Sequence, residues 1–179
     1  MIDSNFQLDQ AVEILSRTPG VLRQLLSGIS DDWVVADEGS DSWSTFDILG
    51  HLVNGEKTDW IVRVRTIIEH GTDRGFEPFD RFSQFEESRG KTASVLLDEF
   101  EELRSRTVDE LKGLVSTRAQ LDLTGIHPDF GEVSLSQLLA AWVVHDLGHI
   151  AQISRVMAKR YTNDVGPWVE YLPVLTDRS

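Results

Sequence analysis

The sequence predicts an all-α protein: a four-helix bundle with long connections between its helices. Three observations carry this. Four long segments repeat apolar side chains at helical spacing. No segment gives a strong strand signal of alternating apolar and polar residues. Two of the four helical segments open on a capping-box pattern. The length, 179 residues, fits one domain spanning 1–179.

The first helix reads from about Gln7 to Ser27, with Leu8, Val12, Leu15, Leu22, Leu25 and Leu26 on one face. Pro19 lacks a backbone donor, so Thr18-Pro19-Gly20 predicts a kink or a fresh start. The second opens at Ser44, where Ser44 and Asp47 can satisfy free backbone N–H groups reciprocally, and runs to Gly71. Residues 71–90 read as an irregular loop rich in glycine and charge. The third helix spans Thr92 to Val115, with Phe100, Val108 and Leu111 on its apolar face. A second loop, Thr124 to Val133, comes next. Ser134 and Gln137 then cap a fourth helix that runs to about Tyr161. The C-terminal segment from Gly166-Pro167-Trp168 onward is apolar enough to return onto the bundle.

Composition narrows the chemistry. There is no cysteine, which removes disulfides, thiolate nucleophiles and cysteine-built metal sites. The net charge of −13 and the scattered Lys and Arg argue against nucleic-acid binding. No apolar run is long enough to span a bilayer. Met1 to Asp9 shows no secretory pattern, and a cytoplasmic protein is expected.

The most informative stretch is Trp142-Val143-Val144-His145-Asp146-Leu147-Gly148-His149. At about 100° per residue, both imidazoles fall within roughly 20° of the Leu138 direction, inside the apolar stripe. An unpaired buried imidazole costs roughly 1–3 kcal/mol, and a metal would satisfy two at once. Such a pair suits Zn, Ni, Cu or Fe(II). Core histidines bonded to backbone carbonyls are the plain alternative. The spacing is also close to the H-E-x-x-H of zinc proteases, with Asp146 in the place of the glutamate and Glu170 as a third ligand. His51, in the second helix, sits at the margin of its apolar face.

Taken together, Trp43-Ser44, His51-Leu52, Glu56 and the later His145-Asp146, His149 and Gln152 resemble the DinB-like superfamily, which includes the YfiT-like proteins and thiol-dependent S-transferases. The likeness extends over nearly the whole chain, including Pro19 and Gly166-Pro167-Trp168. It implies a four-helix bundle with a three-histidine metal site falling on His51, His145 and His149. It also implies Zn or Ni as the metal, with Fe as a further candidate, and a homodimer. Some members use a low-molecular-weight thiol as cosubstrate.

Three imidazoles leave one position open on a tetrahedral ion, as in catalytic sites. The leading expectation is therefore thiol-dependent S-transfer to a small-molecule electrophile. Hydrolysis by water is one alternative, and a non-catalytic metal-binding or stress-related protein another. A bundle with simply packed histidines is the last. Glu56, in the middle of the second helix's apolar arc, is either a proton acceptor near the metal or the partner of a buried Arg or Trp N–H. Asp146 has the same choice. Gln152 could bond substrate or merely face solvent. His127 reads as a loop histidine, His70 as a helix-dipole residue, and Trp33, Trp43 and Trp168 as packing.

Overall fold

The computed structural model describes residues 5–39 and 42–176. Its elements are α1 (Leu8–Leu26), α2 (Asp31–Val34), α3 (Thr45–Thr58), α4 (Trp60–His70), α5 (Ser83–Glu87), α6 (Ala93–Leu114), β1 (Thr124–His127), β2 (Gly131–Ser134), α7 (Leu135–Lys159) and α8 (Pro173–Thr176). Short 3-10 turns at Arg118–Asp122 and Gly166–Tyr171 precede β1 and α8.

Four rods form the bundle: α1, the α3–α4 pair, α6 and α7. The core divides into two apolar clusters. One contains Leu15, Trp60, Val108 and Trp142; the other contains Leu22, Leu52, Phe100 and Ile153. On each rod a buried polar residue separates the two: Thr18 on α1, Glu56 on α3, Arg104 on α6 and Asp146 on α7. A polar layer thus crosses the bundle between two apolar halves.

The same clusters give the chain directions. α1 runs from the first cluster to the second, α3–α4 and α6 both run back, and α7 runs as α1 does. The order is up-down-down-up, so residues 71–92 must travel the length of the bundle to join α4 to α6. This explains the first long connection. α1 and α3–α4 each pack on both α6 and α7.

Several elements differ from the sequence expectation. α1 is one uninterrupted helix through Pro19. Proline cannot donate to the carbonyl of Leu15, but the buried Arg104 does so, Nη1 to O at 2.9 Å. The second segment is two helices, broken at Asp59 (φ −118°, ψ −81°). Thr58 Oγ1 bonds the carbonyl of Asn54 at 2.9 Å, the side-chain-to-backbone competition that bends helices.

The expected loop 124–133 is an antiparallel hairpin pairing Thr124 with Ser134 and His127 with Gly131. Gly125 is required by close approach, since a Cβ there would lie 2.7 Å from Ile67 Cγ1. The 71–90 connection is anchored to this hairpin, with Phe76 N donating to Ile126 O at 2.9 Å, and it carries α5. Both expected capping boxes, Ser44–Asp47 and Ser134–Gln137, are present. The C-terminal segment returns through α8 onto α7, with Leu175 buried, while Trp168 stays exposed.

Candidate metal centre

α3 and α7 pack against one another and bring His51 to His145 and His149. His51 is buried, 6% exposed, although helical spacing alone leaves it at the edge of the apolar face. The three Nε2 atoms converge. His51 Nε2 lies 3.0 Å from His145 Nε2, which lies 3.1 Å from His149 Nε2. These are the residues that could hold a metal among the described ones. Aromatic rings enclose them: Trp43 at 4.8 Å and Phe79 at 5.6 Å from the His51 ring, and Trp60 at 5.0 Å from His145.

The donor set fits a divalent cation. A neutral imidazole carries one N–H. His149 donates its Nδ1 proton to Gln152 Oε1 at 2.8 Å, so its Nε2 presents a lone pair to the cluster. Burial, with the neighbouring His149 and His145 and with Arg81, pushes the His51 pKa down to about 3. Burial and His145 push that of His149 down to about 4. Both rings are therefore neutral near pH 7, the form a metal requires. Three nitrogens facing one another cannot all be satisfied by one another's protons. A cation of the kind bound by imidazole satisfies all three.

Glu56 and Asp146 meet at Arg104, and all three side chains are buried. Arg104 Nη2 donates to Glu56 Oε1 at 2.7 Å, and Thr107 Oγ1 donates to Glu56 Oε2 at 2.5 Å. Arg104 Nη1 and Nη2 reach Asp146 Oδ2 and Oδ1 at 2.5 and 3.1 Å. Of the two carboxylates, Asp146 borders the histidines, its Oδ1 3.9 Å from His145 Nδ1. Despite burial, the His145 ring and the Arg104 guanidinium hold its carboxyl below the usual range.

Arg104 is a buried cation that helical spacing does not single out, although Phe100-x-x-x-Arg104-x-x-x-Val108 places it on the apolar stripe of α6. Its guanidinium also lies over the Phe100 and Trp142 rings, at 4.8 and 5.2 Å. Asp59 is a second buried charged residue that helical spacing does not single out. It is buried, 2.6 Å from Arg63 Nε, and burial raises its pKa.

Other candidates lie elsewhere. Glu170 is exposed and outside the histidine cluster, which removes the protease-like third ligand. His127 accepts from the backbone N–H groups of Asp129 and Phe130 and stacks on Phe130. It lines a cavity of about 570 Å³ together with Trp60, Arg63 and Phe76. His70 is at the exposed C-terminal end of α4. Trp43 walls the histidine site, whereas Trp33 packs on Tyr161 at 5.3 Å.

The chain resembles known proteins in both sequence and fold. A protein of Bacillus subtilis (strain 168) named "Putative metal-dependent hydrolase YfiT" is 25% identical over 156 residues, covering 86% of this chain and 85% of that protein. The solved structure of YfiT from Bacillus subtilis, a four-helix bundle of unusual topology, superposes with a TM-score of 0.75. It is 24% identical, with 88% of this chain and 89% of that one covered. A family model, the DinB superfamily, matches residues 14–153. With that match, the bundle and the three converging imidazoles, the chain belongs to the DinB superfamily.

Proposed function

We propose that the protein is a metal-dependent hydrolase of a small molecule, with His51, His145 and His149 holding one divalent ion. The observation that carries this reading is the convergence of the three Nε2 atoms in an aromatic enclosure. The name of the Bacillus subtilis relative supports hydrolysis over the S-transfer expected first, for which the comparisons supply no support. A bound divalent ion supplies Lewis acidity at neutral pH.

The protein's own residues do the rest. Gln152 fixes the His149 tautomer and ring orientation. Trp43, Phe79 and Trp60 limit water around the rings. In this reading Arg104 gathers Glu56 and Asp146 into a positioning network that holds α3, α6 and α7 in register. Their oxygens are already engaged by guanidinium and hydroxyl donors.

The test is a rate survey of esters, amides and lactones with the zinc- and nickel-loaded protein, with and without an added thiol. Turnover is expected to need metal, to need no thiol and to be lost in His51→Ala. Turnover only with thiol would replace hydrolysis by S-transfer. Bound metal with no turnover in any condition would leave a metal-binding protein without catalysis.

A further inference from the structure

Beside the histidines lies a cleft of about 690 Å³, a size that suits a small-molecule ligand. Two of its lining residues touch the metal-site histidines directly. Trp43 packs on the His51 ring at 4.8 Å, and Gln152 accepts from His149 at 2.8 Å. Phe82 and Phe85 add aromatic surface.

The charge of this lining runs against that of the chain. The protein carries −13 overall, yet among the described residues the cleft is lined by Arg81, Arg155 and one carboxylate, Glu38. Glu38 is fully engaged: Arg155 binds it through Nε at 2.7 Å and Nη2 at 2.9 Å, and Lys159 Nζ lies 3.2 Å away. Arg81 has no carboxylate partner among the described residues; its guanidinium rests over the Phe82 ring at 4.9 Å. Among the described lining residues it is the surplus positive charge, and its field reaches His51.

Arg81 is also held in place. Buried Asn54, less than one helical turn from His51 on α3, donates from Nδ2 to the carbonyl of Asp80 at 3.0 Å. Asp80 Oδ1 accepts from the backbone N–H groups of Phe82 and Ser83 at 2.9 and 3.2 Å. The turn bearing Arg81 is thereby tied to the helix that carries a metal ligand. Without such a tie, an irregular 71–90 connection gives no reason for a cation to stand at this mouth.

We propose that the cleft binds a small organic acid, its carboxylate held by Arg81 and its planar or apolar body against Trp43, Phe82 and Phe85. Arginine is suited to this, since its rigid fork matches a carboxylate with two parallel hydrogen bonds. The inference names a substrate class for the hydrolytic site and rests on that reading for the reaction alone. Binding of the acid is measured without turnover.

The probe is hippurate (N-benzoylglycine), an aromatic amide ending in a carboxylate, against its neutral carboxamide. Titration calorimetry on the full chain, zinc-loaded and again after chelation, should show hippurate at least ten-fold tighter in both states. Arg81→Gln should abolish the difference and Arg81→Lys should restore part of it, with the zinc content and helical signal of the wild type. No preference for the acid in wild type, including no binding of either compound, overturns the proposal. So does a preference that survives Arg81→Gln. A failed hydrolysis survey beside a preserved acid preference would sink the hydrolase reading while leaving this site in place.

Discussion

Arg104 on α6 donates to the carbonyl of Leu15 on α1, Nη1 to O at 2.9 Å. That carbonyl is the one Pro19 cannot serve, so a cation in the polar layer completes the proline-containing helix packed beside its own. The same guanidinium binds Glu56 and Asp146. One residue therefore joins α1, α3, α6 and α7.

Removing it should be severe. Arg104→Met strips two buried carboxylates of their guanidinium partner and leaves the Leu15 carbonyl without its donor, and breaking a buried ion network by one partner costs about 3–5 kcal/mol. Urea unfolding measures this. A variant that also carries Glu56→Gln and Asp146→Asn should recover part of the loss, because the stranded charges are gone. A loss under about 1 kcal/mol for the single variant would mean the layer is not held as described.

The hairpin depends on a glycine. Gly125→Ala sets a methyl 2.7 Å from Ile67 Cγ1 and 3.0 Å from Phe76 Cε1, so the hairpin must shift off α4. Overpacking of this kind costs about 1–3 kcal/mol. Thermal unfolding should show the drop, whereas Gly148→Ala, with nothing near its added Cβ, should be neutral or stabilising by virtue of helix propensity.

Gln152 should tune the metal rather than the fold. Gln152→Ala frees the His149 tautomer, and loss of such an orienting partner typically weakens metal binding about 10–100-fold. Competition with a chromogenic chelator reads the affinity. Equal zinc affinity in wild type and variant would remove Gln152 from the site.

Chelation should lower the melting temperature of the metal-loaded protein. A ligand at a hundred times its Kd stabilises the folded state by about 2.7 kcal/mol. Addition of zinc or nickel should restore the temperature in wild type and leave His51→Ala unmoved. An identical melting curve with and without metal in wild type would deny the ion a folded site.

Acid should weaken the α7 end through Glu38. The hydrogen bonds from Arg155, against the opposing effect of burial, hold its pKa below the ordinary 4.5. A depressed carboxylate contributes its stability in full above its unfolded value and loses it as pH falls through the folded one. Glu38→Gln should therefore cost about 1 kcal/mol at pH 7, and its unfolding midpoint should converge on that of wild type as pH falls below the ordinary carboxylate range and through the folded value. A gap that stays constant with pH would mean the ion pair contributes nothing through charge.

Sequence alone determined the local features of this protein. Apolar spacing located the four rods, and the residues at Ser44–Asp47 and Ser134–Gln137 set two helix starts. The spacing of His145 and His149 put two imidazoles on one face because helix geometry is fixed by the backbone. What spacing could not decide was every relationship between elements. The donor to the Leu15 carbonyl that Pro19 leaves unserved lies on another helix, so a kink is the local expectation and an uninterrupted helix the outcome. β1 and β2 are four residues each, too short for alternation to register, and they exist because the hairpin is held against Ile67 and Phe76. The inward turn of His51 and the meeting of Glu56, Arg104 and Asp146 depend on how α3, α6 and α7 dock. Docking is set by the shape of the whole core, and that information is spread over residues distant in the chain.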